Sequence, residues 1–324
     1  MNLRQLRYIS AVARNGLNVS ATAERLYTSQ PGVSKQIRQL EDELGVQIFE
    51  RSGRQLTRVT QAGRAIIELA ERALVEVDTL RQAALEHRDP HTGTLSIASS
   101  HTQARYVLPD IVDALRAHYP RLDLRFHQGA PEQIARLVTS GDVDLAIATE
   151  GLEHFEDLVL LPCYRWQRAV VVRHDHPLAA GGRLDLRELA AHPLVTYVFA
   201  VGAQSVVERA FRDLGLEPRI ALSASDAEVV KTYVRRGVGA GVIARMAWEP
   251  ERDADLVLLD ASHVFEPSLT KVAFRRGSFF RACMYDFLHL FAPHLTRDVL
   301  DTVLSLKGNQ PLDPLFVDVE LPLR

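Results

Sequence analysis

Apolar residues recur at helical spacing from the first turn of the chain. Leu3, Leu6, Ile9, Val12 and Ala13 predict an amphipathic helix, opened by Asn2 with Gln5 as its capping-box partner and stopped by Gly16. Asn18 is placed to cap a short second helix holding Ala21, Ala23 and Leu26. Ser29 caps a third, with Pro31 in the first turn, where its missing N–H does no harm. Val33, Ile37, Leu40 and Leu44 form the apolar face of that helix, and Gly45 lies just past its end. Its other face carries Gln30, Ser34, Lys35, Arg38 and Gln39. Two short apolar strands then flank a turn at Ser52-Gly53-Arg54, with Arg51 beside it. The pattern predicts a winged helix-turn-helix over residues 1–60. Spacing alone also allows a plain three-helix bundle with a solvated polar face.

Residues 61–91 read as a long helix capped by Thr60 and ended by a polar Pro/Gly hinge. Ile67, Ala70, Leu74, Val77 and Ala84 fall near a/d positions, with Leu80 beside the seam, so the helix either pairs two subunits or packs on its own domain. From residue 92 the period changes. Strands near 94–99, 122–127 and 144–149 alternate with helices near 109–118 and 131–139, the rhythm of an open parallel sheet. The pattern restarts at Cys163, with strands near 169–172, 194–197, 219–221 and 270–274 and helices near 185–189, 205–214, 226–236 and 279–291. The fold class is therefore α/β. An N-terminal winged helix-turn-helix and a linker helix precede a body of two α/β lobes, about 92–162 with 268–292, and about 163–267. An extension over 293–324 holds a helix near 298–306 and an apolar alternating stretch at 315–323, which adds a strand or packs on a neighbour.

Composition adds a division of labour. The chain has 324 residues and a net charge of −3, yet its first sixty residues hold nine Lys/Arg against five Asp/Glu. A basic head on an acidic body fits a head that meets phosphate. The two cysteines, Cys163 and Cys283, are far apart and outside any CxxC, which argues against a disulfide framework or a cysteine zinc site. Met1-Asn2-Leu3-Arg4 leads straight into an amphipathic pattern without an apolar leader, and no run is long enough to span a bilayer. The cytoplasm is the expected location.

Chemistry concentrates in two places. Gln, Lys and Arg on a helix can read base edges in the major groove, while Ser hydroxyls and the helix N-terminus suit phosphate oxygens. In the body, Ser99 to Gln103 and Ala148-Thr149-Glu150 lie at the carboxyl ends of strands, where open α/β sheets bind ligands. Hydroxyls gathered there suit a small oxyanion or carboxylate. Gly237-Val238-Gly239-Ala240-Gly241 follows a helix instead of separating a strand from one, so it reads as a turn into a strand near Val242 and not as a dinucleotide site. No nucleophile, base and orienter assemble from the motifs, and the histidines form no metal-ligand spacing, so neither enzyme catalysis nor a metal is expected. His101 is either packed or in contact with ligand. Cys163 reads as a buried structural thiol.

Leu3…Leu6, then Ala23…Leu26…Ser29-Gln30-Pro31-Gly32-Val33-Ser34…Ile37…Leu40-Glu41…Leu44-Gly45…Phe49…Arg51…Arg54…Thr60…Ala62-Gly63 resembles the N-terminal signature of LysR-type transcriptional regulators. The resemblance implies that Gln30, Pro31, Ser34 and Lys35 lie at the DNA, with Arg38, Arg51 and Arg54 as phosphate partners. Thr22 stands where the family usually has a small apolar residue. The body continues the likeness as a periplasmic-binding-protein-like effector domain. Ser99-Ser100-His101-Thr102-Gln103-Ala104-Arg105-Tyr106, His127-Gln128-Gly129, Leu161-Pro162-Cys163-Tyr164 and Lys231-Thr232-Tyr233-Val234-Arg235 resemble the CysB-like branch, which governs sulfur assimilation and cysteine biosynthesis. The resemblance implies that Ser100, Thr102, Gln103, Thr149 and Gly202 face a small effector: an acetylated serine, sulfate or a related sulfur metabolite. It also implies promoter DNA as partner, a homodimer through the linker helix within a homotetramer, and RNA polymerase as a candidate partner. In the turn at 200–204, Gly202 and Gln204 replace the branch's usual threonine and arginine. That loss of a hydroxyl and a charge points to an altered or different effector.

Overall fold

The computed structural model describes the whole chain except Arg54, Pro90, His154, Glu156 and residues 199–204 and 307–311. It divides into two compact units, Met1–Ala84 and Leu85–Arg324.

In the first unit, helix α1 (Leu3–Arg14) opens with the reciprocal Asn2–Gln5 capping box. Helix α2 (Val19–Arg25) is capped by Asn18, whose side chain accepts from the Ala21 amide at 3.0 Å. Helix α3 (Gln30–Leu44) begins under Ser29 and ends at Gly45 in the left-handed region, φ 69°. All three boundaries follow from satisfying exposed helix-end amides and carbonyls. Strands β1 (Phe49–Ser52) and β2 (Gln55–Val59) form the antiparallel wing. Ile9, Val12, Val33, Ile37, Leu40, Ile48 and Phe49 make one core. Thr22 is fully buried, and its hydroxyl donates to the Asn18 carbonyl at 2.7 Å and accepts from Asn15 at 3.2 Å. The hydroxyl is thereby satisfied where an apolar residue is expected.

Helix α4 (Gln61–Arg88) follows, with the Thr60 hydroxyl accepting from the Gly63 amide. Its seam differs from the sequence expectation. Ile67 and Ala70 are buried in the head's own core, with Leu74 packed against it. The stripe's first turns are therefore consumed within the subunit. Beyond the first turns, the exposed apolar positions Leu69, Ala73, Leu80 and Ala84 again fall at near-heptad spacing but on another face.

The second unit holds two sheets. The first has strand order β4-β3-β5-β12-β6, built from β3 (Thr92–Ser99), β4 (Arg121–Gln128), β5 (Leu145–Ala148), β6 (Leu158–Trp166) and β12 (Ser268–Arg275). The second has the order β11-β7-β10-β8-β9, from β7 (Arg168–Arg173), β8 (Leu194–Tyr197), β9 (Ile220–Ala224), β10 (Ala240–Ala244) and β11 (Leu256–Asp260). Three strands run parallel in each, β4-β3-β5 and β10-β8-β9. Strand β12 in the first sheet and β7 in the second run antiparallel.

Two chain crossings link these lobes, at Gln167 and between Asp260 and Ser268. The first lies beyond the expected boundary at 162/163. Residues 163–166 complete β6, where Tyr164 pairs with Thr270 and Trp166 with Ser268. The apolar run from Leu158 is thus a buried edge of the first lobe. Helices α5 (His101–Tyr106), α6 (Leu108–His118), α7 (Pro131–Ser140) and α11 (Ala282–Phe291) accompany the first sheet, and α8 (Leu186–Ala190), α9 (Val206–Asp213) and α10 (Ala227–Arg235) the second.

The turn reading of residues 237–241 holds. Gly237 has φ +76° beyond α10, and a Cβ on Gly239 would meet the Pro193 carbonyl oxygen at 2.0 Å. Helix α12 (Arg297–Ser305) opens the extension. The chain end then lies along its own first lobe, with Leu323 bridging Arg165 in parallel. The stretch from 315 to 323 forms no strand of its own: a short 3-10 turn covers Asp313–Leu315, and only the bridge at Leu323 pairs with the first lobe.

Candidate functional site

On the head, Gln30, Pro31, Lys35, Arg38 and Gln39 are exposed along α3, and Ser34 is half-buried between them. The Gln30 amide donates to the Ser34 hydroxyl at 3.1 Å, one turn apart. This face presents donors, acceptors and two cations on a rigid helix whose apolar side is locked into the core. Arg51 is committed elsewhere. It pairs with Glu41 at 2.7 Å, and the Glu41 carboxylate also accepts from the Ile48 and Phe49 amides at 2.9 and 3.1 Å. Arg51 therefore braces the wing against α3, leaving only its remaining N–H groups for a phosphate. Arg54 lies outside the described residues. Tyr27, between α2 and α3, is 99% exposed and holds the left-handed φ of 50°. Sequence periodicity gave no signal for it, because it belongs to neither helix.

The second site is a narrow cleft between the two lobes, with a cavity volume of about 20 Å³. Ser100, Thr102, Gln103, Pro131, Thr149 and Glu150 line it from the first lobe, and Tyr197, Ala244 and Met246 from the second, with Trp166 beside the crossing. Parallel strands β3, β5 and β8 deliver these residues at their carboxyl ends, which is why three distant segments meet. Ser100 caps α5, accepting from the Gln103 amide at 3.5 Å. Trp166 Nε1 donates to Thr149 Oγ1 at 3.1 Å. The buried Tyr197 hydroxyl accepts from the Ala244 amide at 3.1 Å and is hydrogen-bonded to Thr102; burial pushes its pKa up.

Gln103 is placed in the cleft wall, but its amide is engaged inward. It accepts from the Tyr164 hydroxyl and its Nε2 faces Thr270 Oγ1 at 3.5 Å. Gly202 and the rest of the 200–204 turn lie outside the described residues. His101 does not line the cleft. Cys163 and Cys283 are both buried, and burial pushes the Cys163 thiol up and the Cys283 thiol to about 11.

Sequence reading placed Glu150 at the cleft but missed its cation. Arg168 is 1% exposed, its guanidinium 4.6 Å from the Trp166 ring and bonded to Ser268 Oγ at 2.7 Å. Its Nε has no hydrogen-bond partner among the described residues, and burial pushes the group down to about 10. Glu150 is half-buried; burial raises its pKa, while the Arg168 charge opposes the rise. A cation beneath an apolar-walled cleft with the hydroxyls of Ser100, Thr102 and Thr149 suits a small anion. Among the described residues no cluster of metal-ligating side chains occurs, and no helix is long and apolar enough to cross a membrane.

Residues 3–64 match the family model for the bacterial regulatory helix-turn-helix protein, lysR family, and residues 88–296 match the LysR substrate binding domain. The HTH-type transcriptional regulator CysB of Haemophilus influenzae is 48% identical over 321 residues, covering 99% of both chains. The regulator SsuR of Burkholderia cenocepacia is 45% identical, over 91% of this chain and 96% of its own. Among solved structures, the cofactor-binding domain of the Cbl transcriptional regulator superposes with a TM-score of 0.63 at 36% identity, over 66% of this chain and 95% of that one. With both family models matched in order and such relatives along nearly the whole length, the chain belongs to the LysR family of DNA-binding transcriptional regulators, on its CysB-like branch.

Proposed function

We propose that this regulator controls genes of sulfur assimilation and cysteine biosynthesis from the cytoplasm. Residues 1–60 bind promoter DNA, 61–91 link and pair subunits, and 92–324 bind a small effector. Gln30, Pro31, Ser34 and Lys35 enter the major groove, and Arg38 with the wing arginines Arg51 and Arg54 holds phosphate. The α4 stripe Leu69, Ala73, Leu80 and Ala84 pairs two heads for two half-sites, and two dimers form a tetramer that engages RNA polymerase.

The observation that carries the effector reading is the convergence of Ser100, Thr102 and Thr149 on one cleft, above the buried cation Arg168. An acetylated serine, sulfate or a related sulfur metabolite fits those donors. The glycine at 202 and the glutamine at 204 remove a hydroxyl and a charge relative to the branch pattern, which favours an effector different from the usual one. A hydrogen-bond donor lost to an anion weakens binding by about 1–3 kcal/mol. The relationship to SsuR at 45% identity supports a second reading, a separate regulon tuned to another small anion.

The test pairs two measurements on the full chain. Calorimetry with sulfate, thiosulfate, O-acetylserine and N-acetylserine identifies the effector, and footprinting on promoters of sulfur genes reports its effect. Failure to retain any such promoter in a salt-sensitive manner would overturn the assignment. Tight binding of N-acetylserine alone would remove the case for an altered effector.

A further inference from the structure

Helix α5 faces both lobes. Its first turn supplies Ser100 and Thr102 to the cleft, and its last turn carries Arg105 and Tyr106 toward the second lobe. There the Tyr106 hydroxyl donates to Glu228 Oε1 at 2.5 Å, and Arg105 lies 3.6 Å from both Glu228 and Glu249. Behind them Lys231, with 0% exposure, bonds Glu228 at 2.6 Å, Asp253 at 2.7 Å and the Ala247 carbonyl at 2.9 Å. Its ammonium also sits 5.9 Å from the Tyr106 ring centroid. Asp253 in turn accepts from the Glu249 amide at 2.9 Å and from Arg235 at 2.8 Å.

We propose that Arg105, Tyr106 and Glu228 form a latch that fixes the spacing of the two lobes across the cleft, making them positioning residues for the effector site. Three features of the geometry support this. Glu228 is gripped from both sides, by Tyr106 of the first lobe and Lys231 of the second. Lys231 is anchored so deeply that Glu228 has little freedom to move away. Half-burial strengthens each of these charge-assisted bonds relative to water. Opposite charges alternate along Arg105, Glu228, Lys231 and Asp253, so every cation meets a carboxylate. Only two short segments of chain, Gln167 and residues 261–267, join the lobes covalently, so their spacing rests on side-chain contacts such as these. Helix α5 thus connects the hydroxyls that would meet an effector to the contact that sets lobe separation, within six residues.

Spin labels can read that separation directly. Cysteines replace Arg116 on α6 and Arg187 on α8, both exposed and without side-chain partners among the described residues, and the native Cys163 and Cys283 are too buried to label. The labelled full chain, diluted into unlabelled protein, is measured by pulsed electron resonance without effector. Tyr106→Phe, which keeps the ring, and Glu228→Gln, which keeps the shape, should each broaden the interlobe distance distribution and shift it to longer values. Asp255→Asn is the control. It removes an equally short ion pair with Arg235, 2.7 Å, that lies wholly within the second lobe, and it should leave the distribution unchanged. Unchanged distributions in both latch variants would overturn the proposal, as would an equal broadening in the control. If Glu228→Gln fails to fold, Tyr106→Phe and Arg105→Ala decide the question. No effector is added, so the result stands apart from the effector's identity.

Discussion

Trp166 Nε1 donates to Thr149 Oγ1 at 3.1 Å, so the indole occupies a lone pair of that hydroxyl and leaves its proton for another acceptor. The same indole ring lies 4.6 Å from the Arg168 guanidinium. One side chain therefore orients a cleft hydroxyl and covers a buried cation. Trp166→Phe keeps a ring over Arg168 and deletes the donor. It should weaken anion binding by about 1 kcal/mol, roughly fivefold, and the smaller ring in a buried site should also lower stability by about 1–2 kcal/mol. Calorimetry with sulfate checks this, and undiminished affinity would refute the orienting role.

Glu41 is 6% exposed and accepts from two backbone amides and Arg51. Glu41→Ala strands all three donors and should destabilise the head by about 2–3 kcal/mol. Arg51→Ala leaves the carboxylate with its two amides and should cost about 1 kcal/mol. Thermal melts rank the two. An Arg51→Ala variant of unchanged stability but shallower salt dependence of operator binding would make Arg51 a phosphate contact instead of a brace.

A Cβ built on Gly63 would stand 2.1 Å from the Ile48 carbonyl oxygen, which is backbone and cannot rotate aside. Gly63→Ala must push the start of α4 off the wing, at about 1–3 kcal/mol. Gly182→Ala, with nothing within 4 Å, should be neutral or slightly stabilising. A chemical-denaturation comparison of the two measures the cost of that close approach.

The head was legible because its helix ends are written locally: Asn2, Asn18, Ser29 and Gly45 each act within three or four residues. The parallel strands were legible as buried apolar runs. Three kinds of feature were not. Helix α5 is six residues long, too short for a period to register. Strand β6 continues through Pro162 and Cys163 because of its pairing with β12, a partner more than a hundred residues away. The pairing of Glu41 with Arg51, and the cleft walls Trp166 and Tyr197, likewise depend on tertiary placement. The α4 seam shows the same limit. Its heptad spacing was visible, but the share of it that the head's core would absorb was not.

Lys35 is exposed on the polar face of α3, with no hydrogen-bond or ion-pair partner among the described residues. Lys35→Ala should weaken operator binding and leave effector affinity unchanged. If its ammonium meets phosphate, the slope of log affinity against log salt should fall by about 1. Footprinting indistinguishable from the parent protein would remove α3 from the DNA.

Glu150 provides a pH-dependent test of the cleft's electrostatics. Burial raises its pKa above the ordinary 4.5, so the fold disfavours its ionised form. The folded chain then holds this proton at pH values where the unfolded chain has released it, and the penalty for ionising Glu150 grows as pH rises from 4.5 through the folded pKa. Glu150→Gln lacks that penalty. The variant should melt at a higher temperature than the parent at neutral pH, and the advantage should vanish as pH falls toward 4.5, where the parent's carboxyl is already protonated. Removing this negative charge should also strengthen sulfate binding, because Arg168 would then act on the anion without opposition from Glu150. Melting curves from pH 4.5 to 8, with sulfate titrations at both ends, measure both effects. A pH-independent difference in melting temperature would mean that Gln acts through packing, and unchanged sulfate affinity would place Glu150 outside the ligand's field.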